Sequence, residues 1–189
     1  MKKLIFIGFS ILSFAACSQS EPRKPITASS GSFLQSSVER NKKLLNIEEK
    51  QIQDIIAKDS LHQYIASPNG YWYYFNFKNT DSTANYNPKE DDLVKLNYNI
   101  TYLNGDTIYS SNKIGAVTYK VDKQNLFPGL RTGVKLLQKG DTVTFLFPSV
   151  MGYGYHGDEN KIAPNTPIKS KVTLIDILEK SKDSINTDK

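Results

Sequence analysis

From Leu93 to Leu103 the side chains alternate in character: Leu93, Lys95, Asn97, Asn99 and Thr101 fall on one side, and Val94, Leu96, Tyr98, Ile100 and Tyr102 on the other. A period of two is the signature of a strand with one buried face, and a slip of one residue would turn that whole apolar set to water. Asn104-Gly105-Asp106 follows, with turn residues that return the chain into Thr107-Ile108-Tyr109 as an antiparallel hairpin. Further strands are expected over Tyr71–Phe77, Thr118–Val121, Thr142–Phe147 and Lys171–Leu178, with a polar loop over Asp81–Asp92. Among them lies one short helix, Leu130–Leu137, introduced by Pro128-Gly129 and left through the turn Lys139-Gly140-Asp141. Strands, one short helix, then strands predict an α+β fold, a twisted antiparallel sheet wrapped around that helix.

A different kind of segment precedes this domain. Met1-Lys2-Lys3 is a positive start, Leu4 to Phe14 is mostly apolar, and Ala15-Ala16-Cys17 follows. The apolar run is too short to span a bilayer, which takes about 20 residues. The arrangement resembles a bacterial lipobox. That resemblance implies removal of residues 1–16, lipidation of Cys17 and an anchor in an envelope membrane with the protein facing the periplasm. Cys17 is the only cysteine, so no intrachain disulfide can form. Residues 17–35, rich in Ser and Pro, are expected to be a flexible tether. Residues 36–67 are expected to be helical. Ser36 and Glu39 have capping-box spacing, Ile52, Ile55 and Ile56 form a stripe, and a second box at Ser60 and Gln63 opens a short helix over Leu61–Ala66 that Pro68-Asn69-Gly70 closes. The main domain is then 68–180, with a polar, disordered tail over 181–189.

Charge and motifs exclude several functions. The net charge of +5 falls to +3 without Lys2 and Lys3 (22 basic against 19 acidic residues), and there is no Arg-rich stripe, so nucleic acid is not a partner. The aromatic run Tyr71-Trp72-Tyr73-Tyr74-Phe75 has no interleaved basic residues and reads as a sheet strand rather than a base-stacking platform. No metal-ligand set, Ser/His/Asp or Cys/His constellation is legible, so neither a metal nor a cofactor is expected. His62 and His156 have no identifiable partner and are expected on the surface.

Five segments in order resemble the FKBP-type peptidyl-prolyl isomerase family over about Tyr71 to Lys180. They are Val94 to Tyr98; the hairpin Asn104 to Ser111; Leu126-Phe127-Pro128-Gly129-Leu130 with Gly133-Val134 and Lys139-Gly140-Asp141; Pro148 to Gly154; and Ile162-Ala163-Pro164-Asn165-Thr166. The whole chain, lipobox included, is similar to FKBP-type lipoproteins associated with gliding motility in Bacteroidetes. This implies isomerisation of X–Pro bonds in Pro-containing envelope polypeptides, in association with motility or secretion machinery. A weakly catalytic or non-catalytic chaperone or assembly module that holds such partners in the same pocket is the alternative.

The resemblance also implies a site. Leu130 would be its floor, where many members have Trp, and Tyr98, Ile108, Val117, Tyr119, Leu126, Phe127, Tyr153 and Ile162 its walls. The Phe127 backbone N–H and the Tyr153 hydroxyl would each bond a substrate carbonyl, with Tyr98 and Tyr109 beside the reacting bond. Tyr109 stands where the family usually has an Asp whose carboxylate polarises the site, and Ser170 stands where it has a pocket Phe.

Overall fold

The computed structural model of the protein describes residues 30–81 and 84–180. Cys17, the signal-like segment, most of the expected tether and the tail from residue 181 lie outside them. One compact unit ends at Ser37 and a second comprises Val38–Lys189.

Helix α1, Ser30–Lys58, begins inside the segment read as tether, before the Ser36/Glu39 box. A Ser within a helix can turn its hydroxyl to water, so capping spacing permits a start without requiring one. Within the second unit the isoleucine stripe faces inward, with Ile52 buried and Ile55 and Ile56 half-buried.

The short helix expected over Leu61–Ala66 is absent. Asp59 takes control of this stretch: its carboxylate accepts the Leu61 N–H at 3.0 Å and the Tyr64 hydroxyl at 2.9 Å, and pairs with His62 Nδ1 at 2.8 Å. The chain then enters strand β1, Ile65–Ser67, which pairs antiparallel with β2, Tyr71–Phe77. An Asp turn followed by edge pairing outcompetes the Ser60/Gln63 box, because both offer the same backbone groups a partner. His62 is exposed as expected, yet it has partners: besides Asp59, its ring stacks on Tyr74 at 4.0 Å.

The remaining strands are β3 (Leu93–Tyr98), β4 (Ile100–Tyr102), β5 (Thr107–Tyr109), β6 (Ala116–Lys120), β7 (Thr142–Phe147) and β8 (Ile168–Glu179). Every pairing is antiparallel, in the order β1-β2-β7-β8-β3-β6, with the β4–β5 hairpin attached to β8 through β4. The single strand expected over 93–103 is split at Asn99. There the Asn99 N–H donates to Lys171 O (3.2 Å), the Lys171 N–H to Asn99 Oδ1 (2.8 Å) and the Ser170 hydroxyl to Asn99 O (2.6 Å). The split lets β3 pair with β6 while β4 pairs with β5, both keeping β8 as neighbour. The expected alternation holds up to the split, with Val94, Leu96, Tyr98 and Ile100 all buried, and reverses after it: Thr101 is buried and Tyr102 exposed, because β4 leaves the line of β3 to pair with β5.

Helix α2, Ser111–Ile114, is a single turn capped by Ser110. The central helix α3 runs Pro128–Gly133 and tightens into a 3₁₀ turn, Val134–Leu136, so it starts and ends slightly earlier than the spacing suggested. Pro128 suits the first helical position, where its missing N–H is not needed. Leu130, Val134 and Leu137 are fully buried. On β7, Phe145 and Phe147 stack at 5.3 Å and 9° and form the bed on which α3 lies. A Cβ on Gly129 would come within 2.4 Å of the Phe147 ring, and one on Gly133 within 3.0 Å of Phe145. Two bare positions four residues apart therefore let the helix backbone rest on the rings.

Candidate functional site

Phe127 is the hub of the site. It caps the start of α3 in an extended conformation, and the Leu130 and Arg131 N–H groups both donate to its carbonyl. Its ring meets Phe147 at 5.5 Å and 79°, Tyr98 at 6.5 Å and 71°, and Tyr153 at 5.3 Å and 38°. Edge-to-face contacts of this kind fix ring orientation as well as burying area. Among the described residues no acceptor takes the Phe127 N–H. That N–H, inside a cluster of aromatic rings, is thus left unused by the fold.

Tyr153 is half-buried on the loop after β7. A 3₁₀ turn, Ser149–Met151, and the bonds Gly154 N–H to Ser149 O and Asn165 N–H to Gly154 O, both 2.8 Å, hold that loop. Desolvation pushes the Tyr153 hydroxyl well above the ordinary phenol range, and the neighbouring Tyr98, Asp158 and Tyr109 add to the shift. Desolvation also raises Tyr98. Both phenols therefore remain neutral hydrogen-bond donors at any physiological pH.

The rim is closed by a contact that the sequence did not suggest. The Tyr109 hydroxyl donates to Asp158 Oδ2 at 2.5 Å, while Asp158 Oδ1 accepts the N–H groups of Asn160 (3.0 Å), Lys161 (2.9 Å) and Ile162 (2.7 Å). Burial alone would raise the Asp158 carboxyl, but the Tyr109 hydroxyl and these N–H groups outweigh it and hold it below its ordinary value. The bond to Asp158 in turn raises Tyr109. Gly157, at φ +70°, makes the turn possible, since a Cβ there would lie 2.1 Å from Ile162 O.

The expected site residues separate into layers. Tyr98 and Phe127 lie just under the surface, and Tyr109, Val117, Leu126 and Tyr153 are half-buried and packed against the same core. Leu130, Ile108 and Ile162 lie in the same core cluster, with Leu130 showing no exposure. Tyr119 is 1% exposed and its hydroxyl accepts the Asp122 N–H, so it is a core residue rather than a surface one. Ser170 does not reach the surface. It stands opposite Phe145 in register and uses its hydroxyl on Asn99 O. Two contributors escaped the sequence reading. Phe147 was legible in the Val143, Phe145, Phe147 alternation of β7, and Asp158 follows a glycine in the polar turn pattern that gathers backbone N–H groups.

Comparison with known proteins bears on the family and the fold. The family model described as FKBP-type peptidyl-prolyl cis-trans isomerase matches residues 84–175. A probable FKBP-type peptidyl-prolyl cis-trans isomerase FkpA of Neisseria meningitidis serogroup B is 33% identical over 103 residues, 53% of this chain and 37% of the relative. FK506-binding protein 2 of Dictyostelium discoideum is 32% identical over 90 residues, 47% of this chain and 68% of the relative. The match thus spans well under half of the bacterial relative's length. In fold, the crystal structure of FkpA from Escherichia coli superposes with a TM-score of 0.60 at 22% identity, covering 96% of this chain and 84% of that one.

Proposed function

Because the chain belongs to the FKBP-type peptidyl-prolyl cis-trans isomerase family, we propose that its aromatic cleft isomerises X–Pro bonds in polypeptides of the bacterial cell envelope. The observation carrying this reading is the convergence of Phe127, Tyr98 and Tyr153 around one unclaimed N–H and one desolvated, neutral hydroxyl.

Rotation about a peptide bond must break amide resonance, over a barrier of about 18–20 kcal/mol. Planar amides are more polar than twisted ones. A dry cleft therefore stabilises the twisted form relative to the planar one, and only such differential stabilisation speeds the step. The proline ring would sit above Leu130 among the rings of Tyr98, Phe127 and Tyr153. The Phe127 N–H would bond one substrate carbonyl and the Tyr153 hydroxyl another. No proton is transferred and no covalent intermediate forms.

The lipobox-like Ala15-Ala16-Cys17 supports anchoring of the protein in an envelope membrane by acyl chains on Cys17. Each buried methylene contributes about 0.8 kcal/mol, and stable attachment takes more than one chain. Work on envelope clients, including motility or secretion machinery, fits such an anchor.

A prolyl-isomerisation assay tests the reading. Tyr153→Phe keeps the ring and removes the hydroxyl, so kcat/KM should fall several-fold, about 0.5–1.5 kcal/mol. Tyr153→Ala opens the wall and should cost more, with little change in Tm for either. Wild-type rates in both variants would remove Tyr153 from the site. Binding of Pro-containing peptides without any turnover by the wild type would favour the holding module instead.

A further inference from the structure

Along β8 the residues Ile168, Ser170, Val172 and Leu174 are buried, and Lys169, Lys171, Thr173 and Ile175 alternate with them on the outer face of the sheet. Two concavities lie on that outer face. One, of about 360 Å³, is bounded by Asn76 of β2, Thr144 of β7, Lys169 and Lys171 of β8, and Asn99 and Thr101. The other, of about 320 Å³, adds Asn97 and Thr173 and shares Asn99 and Lys171 with the first, so the two form one trough across β8. Thr101 and Thr144 are only 6% and 4% exposed, which makes them its floor.

The fold uses the acceptors of this trough and leaves donors over. Asn99 Oδ1 accepts the Lys171 N–H at 2.8 Å, which fixes the amide orientation and leaves its NH2 group without a partner among the described residues. Asn76 Oδ1 accepts the Thr144 hydroxyl at 2.7 Å and leaves a second NH2 group in the same way. No carboxylate lines either concavity. Among the described residues neither Lys169 nor Lys171 has a carboxylate within ion-pair reach, whereas Lys120, Lys123, Lys135 and Lys139 all do. The neighbouring acids are engaged elsewhere. Asp59 is bonded by the Leu61 N–H, His62 and Tyr64, Asp106 by the Asn104 amide at 2.7 Å, and Asp176 by Lys139 at 2.7 Å. Lys95, opposite Asp176 in register, adds a further cation at that end, and α1 brings one charge of each sign, Asp54 and Lys58, beside Asn104. Two ammoniums and two amide NH2 groups with no anion of their own suit an oxyanion.

The rest of the lining indicates what carries that anion. Tyr74 and Ile175 are its only large apolar side chains, so a lipid tail or an apolar peptide would gain little by burial there. Amides and hydroxyls spread along two joined concavities instead complement the hydroxyls of a sugar chain. We propose that the outer face of the sheet binds an acidic oligosaccharide, with its carboxylate or phosphate between Lys169 and Lys171 and its hydroxyls on Asn97, Asn99 and Thr173. The trough faces away from the core that carries Phe127 and Tyr98, and the proposal is independent of the isomerase reading.

Titration calorimetry of the full chain tests it, at about 0.15 M salt, where diffuse attraction to surface charge is screened. The probes are tetragalacturonate, its methyl ester, glucose 6-phosphate and a tetraglutamate peptide. The ester keeps the ring hydroxyls and loses the charge. One of the two acidic sugars should bind at least tenfold more tightly than the ester and the peptide, and the tighter of the two identifies the anionic group as carboxylate or phosphate. Lys169→Gln with Lys171→Gln should weaken that binding about tenfold or more. Lys113→Gln with Lys161→Gln removes the same charge outside the trough and should leave it unchanged. Turnover of prolyl peptides by the Lys169/Lys171 variant should match the wild type. Failure of both acidic sugars to bind overturns the proposal, as does equal binding of the ester. An affinity that the Lys169/Lys171 variant retains, or that the Lys113/Lys161 variant loses equally, also overturns it. Tetraglutamate binding as tightly as the sugars overturns the sugar assignment and gives the trough to an acidic polypeptide. A wild type that binds the sugar yet turns over no prolyl peptide refutes the isomerase reading alone.

Discussion

Replacing Asp158 with Ala removes one carboxylate that serves four donors: the Tyr109 hydroxyl and the N–H groups of Asn160, Lys161 and Ile162. A hydrogen bond to a charged group is worth about 1.5–3 kcal/mol when its loss leaves the partner stranded. Here the residue is half-buried, so water recovers part of each bond. A loss of about 1–2 kcal/mol follows, roughly 2–8 °C in Tm for a unit of this size. Its origin shows in the pH dependence. The Asp158 carboxyl is held below its ordinary 3.8, so the unfolded chain takes up its proton first as pH falls. The stabilisation is therefore complete above that value and disappears as pH drops through the lower, folded value. Tyr109 behaves conversely, because its raised hydroxyl contributes below its ordinary 10.0 and ceases to do so as pH climbs through the folded value. Urea denaturation of the wild type and of Asp158→Ala, at steps from about pH 2 to pH 7, should give curves that converge at the acid end. A double-mutant cycle with Tyr109→Phe should show the two losses to be less than additive. A gap that stays constant down to the lowest pH, together with strict additivity in the cycle, would falsify the assignment of this clasp.

Three further outcomes follow from the same geometry. Gly129→Ala puts a methyl group 2.4 Å from the Phe147 ring and 2.7 Å from Met151 O, and should cost about 1–3 kcal/mol of stability by thermal melting. Ser170→Ala strips the hydroxyl from Asn99 O, where the strand splits, and should cost about 1–2 kcal/mol while leaving KM for short prolyl peptides unchanged; a raised KM would return Ser170 to the pocket wall. Cys17→Ser should move the protein from the membrane to the soluble envelope fraction and abolish palmitate labelling, and persistence of both would sink the lipidation proposal.

The sheet and its helix were legible because their signals are periodic and redundant. Val94, Leu96, Tyr98 and Ile100 had to share a face in any register that buried them, and Pro128 with Gly129 could only begin a helix that lies close to something. Two of the misreadings fall where a side chain bonds the backbone. Asp59 against Ser60 is a contest between two acceptors one residue apart, and nothing in their spacing names the winner. Asn99 split a strand whose alternation was unbroken, because the alternation reports which face is buried and says nothing of which neighbour each half pairs with. The aromatic walls came from ordered resemblance. The Tyr109–Asp158 contact spans 49 positions and has no local signal.

That contact changes how the cleft would work. A carboxylate on β5 itself would face the reacting amide directly. Here a phenol occupies that strand position, and the charge stands beyond it on the loop, already engaged by three backbone N–H groups. Coulomb influence falls with distance, and a carboxylate that accepts four hydrogen bonds has much of its field answered locally. The groups around the proposed prolyl seat would then be neutral: the rings of Phe127, Tyr98 and Tyr153, two phenols kept neutral by desolvation, and one N–H. A cleft of this kind would act chiefly by excluding water and by two directed hydrogen bonds. Its kcat/KM should then be flat from mildly acidic pH up to the range where phenols ionise, because no group facing the substrate titrates in between. A bell-shaped profile centred near neutrality would mean that a titrating group outside this constellation takes part in the step.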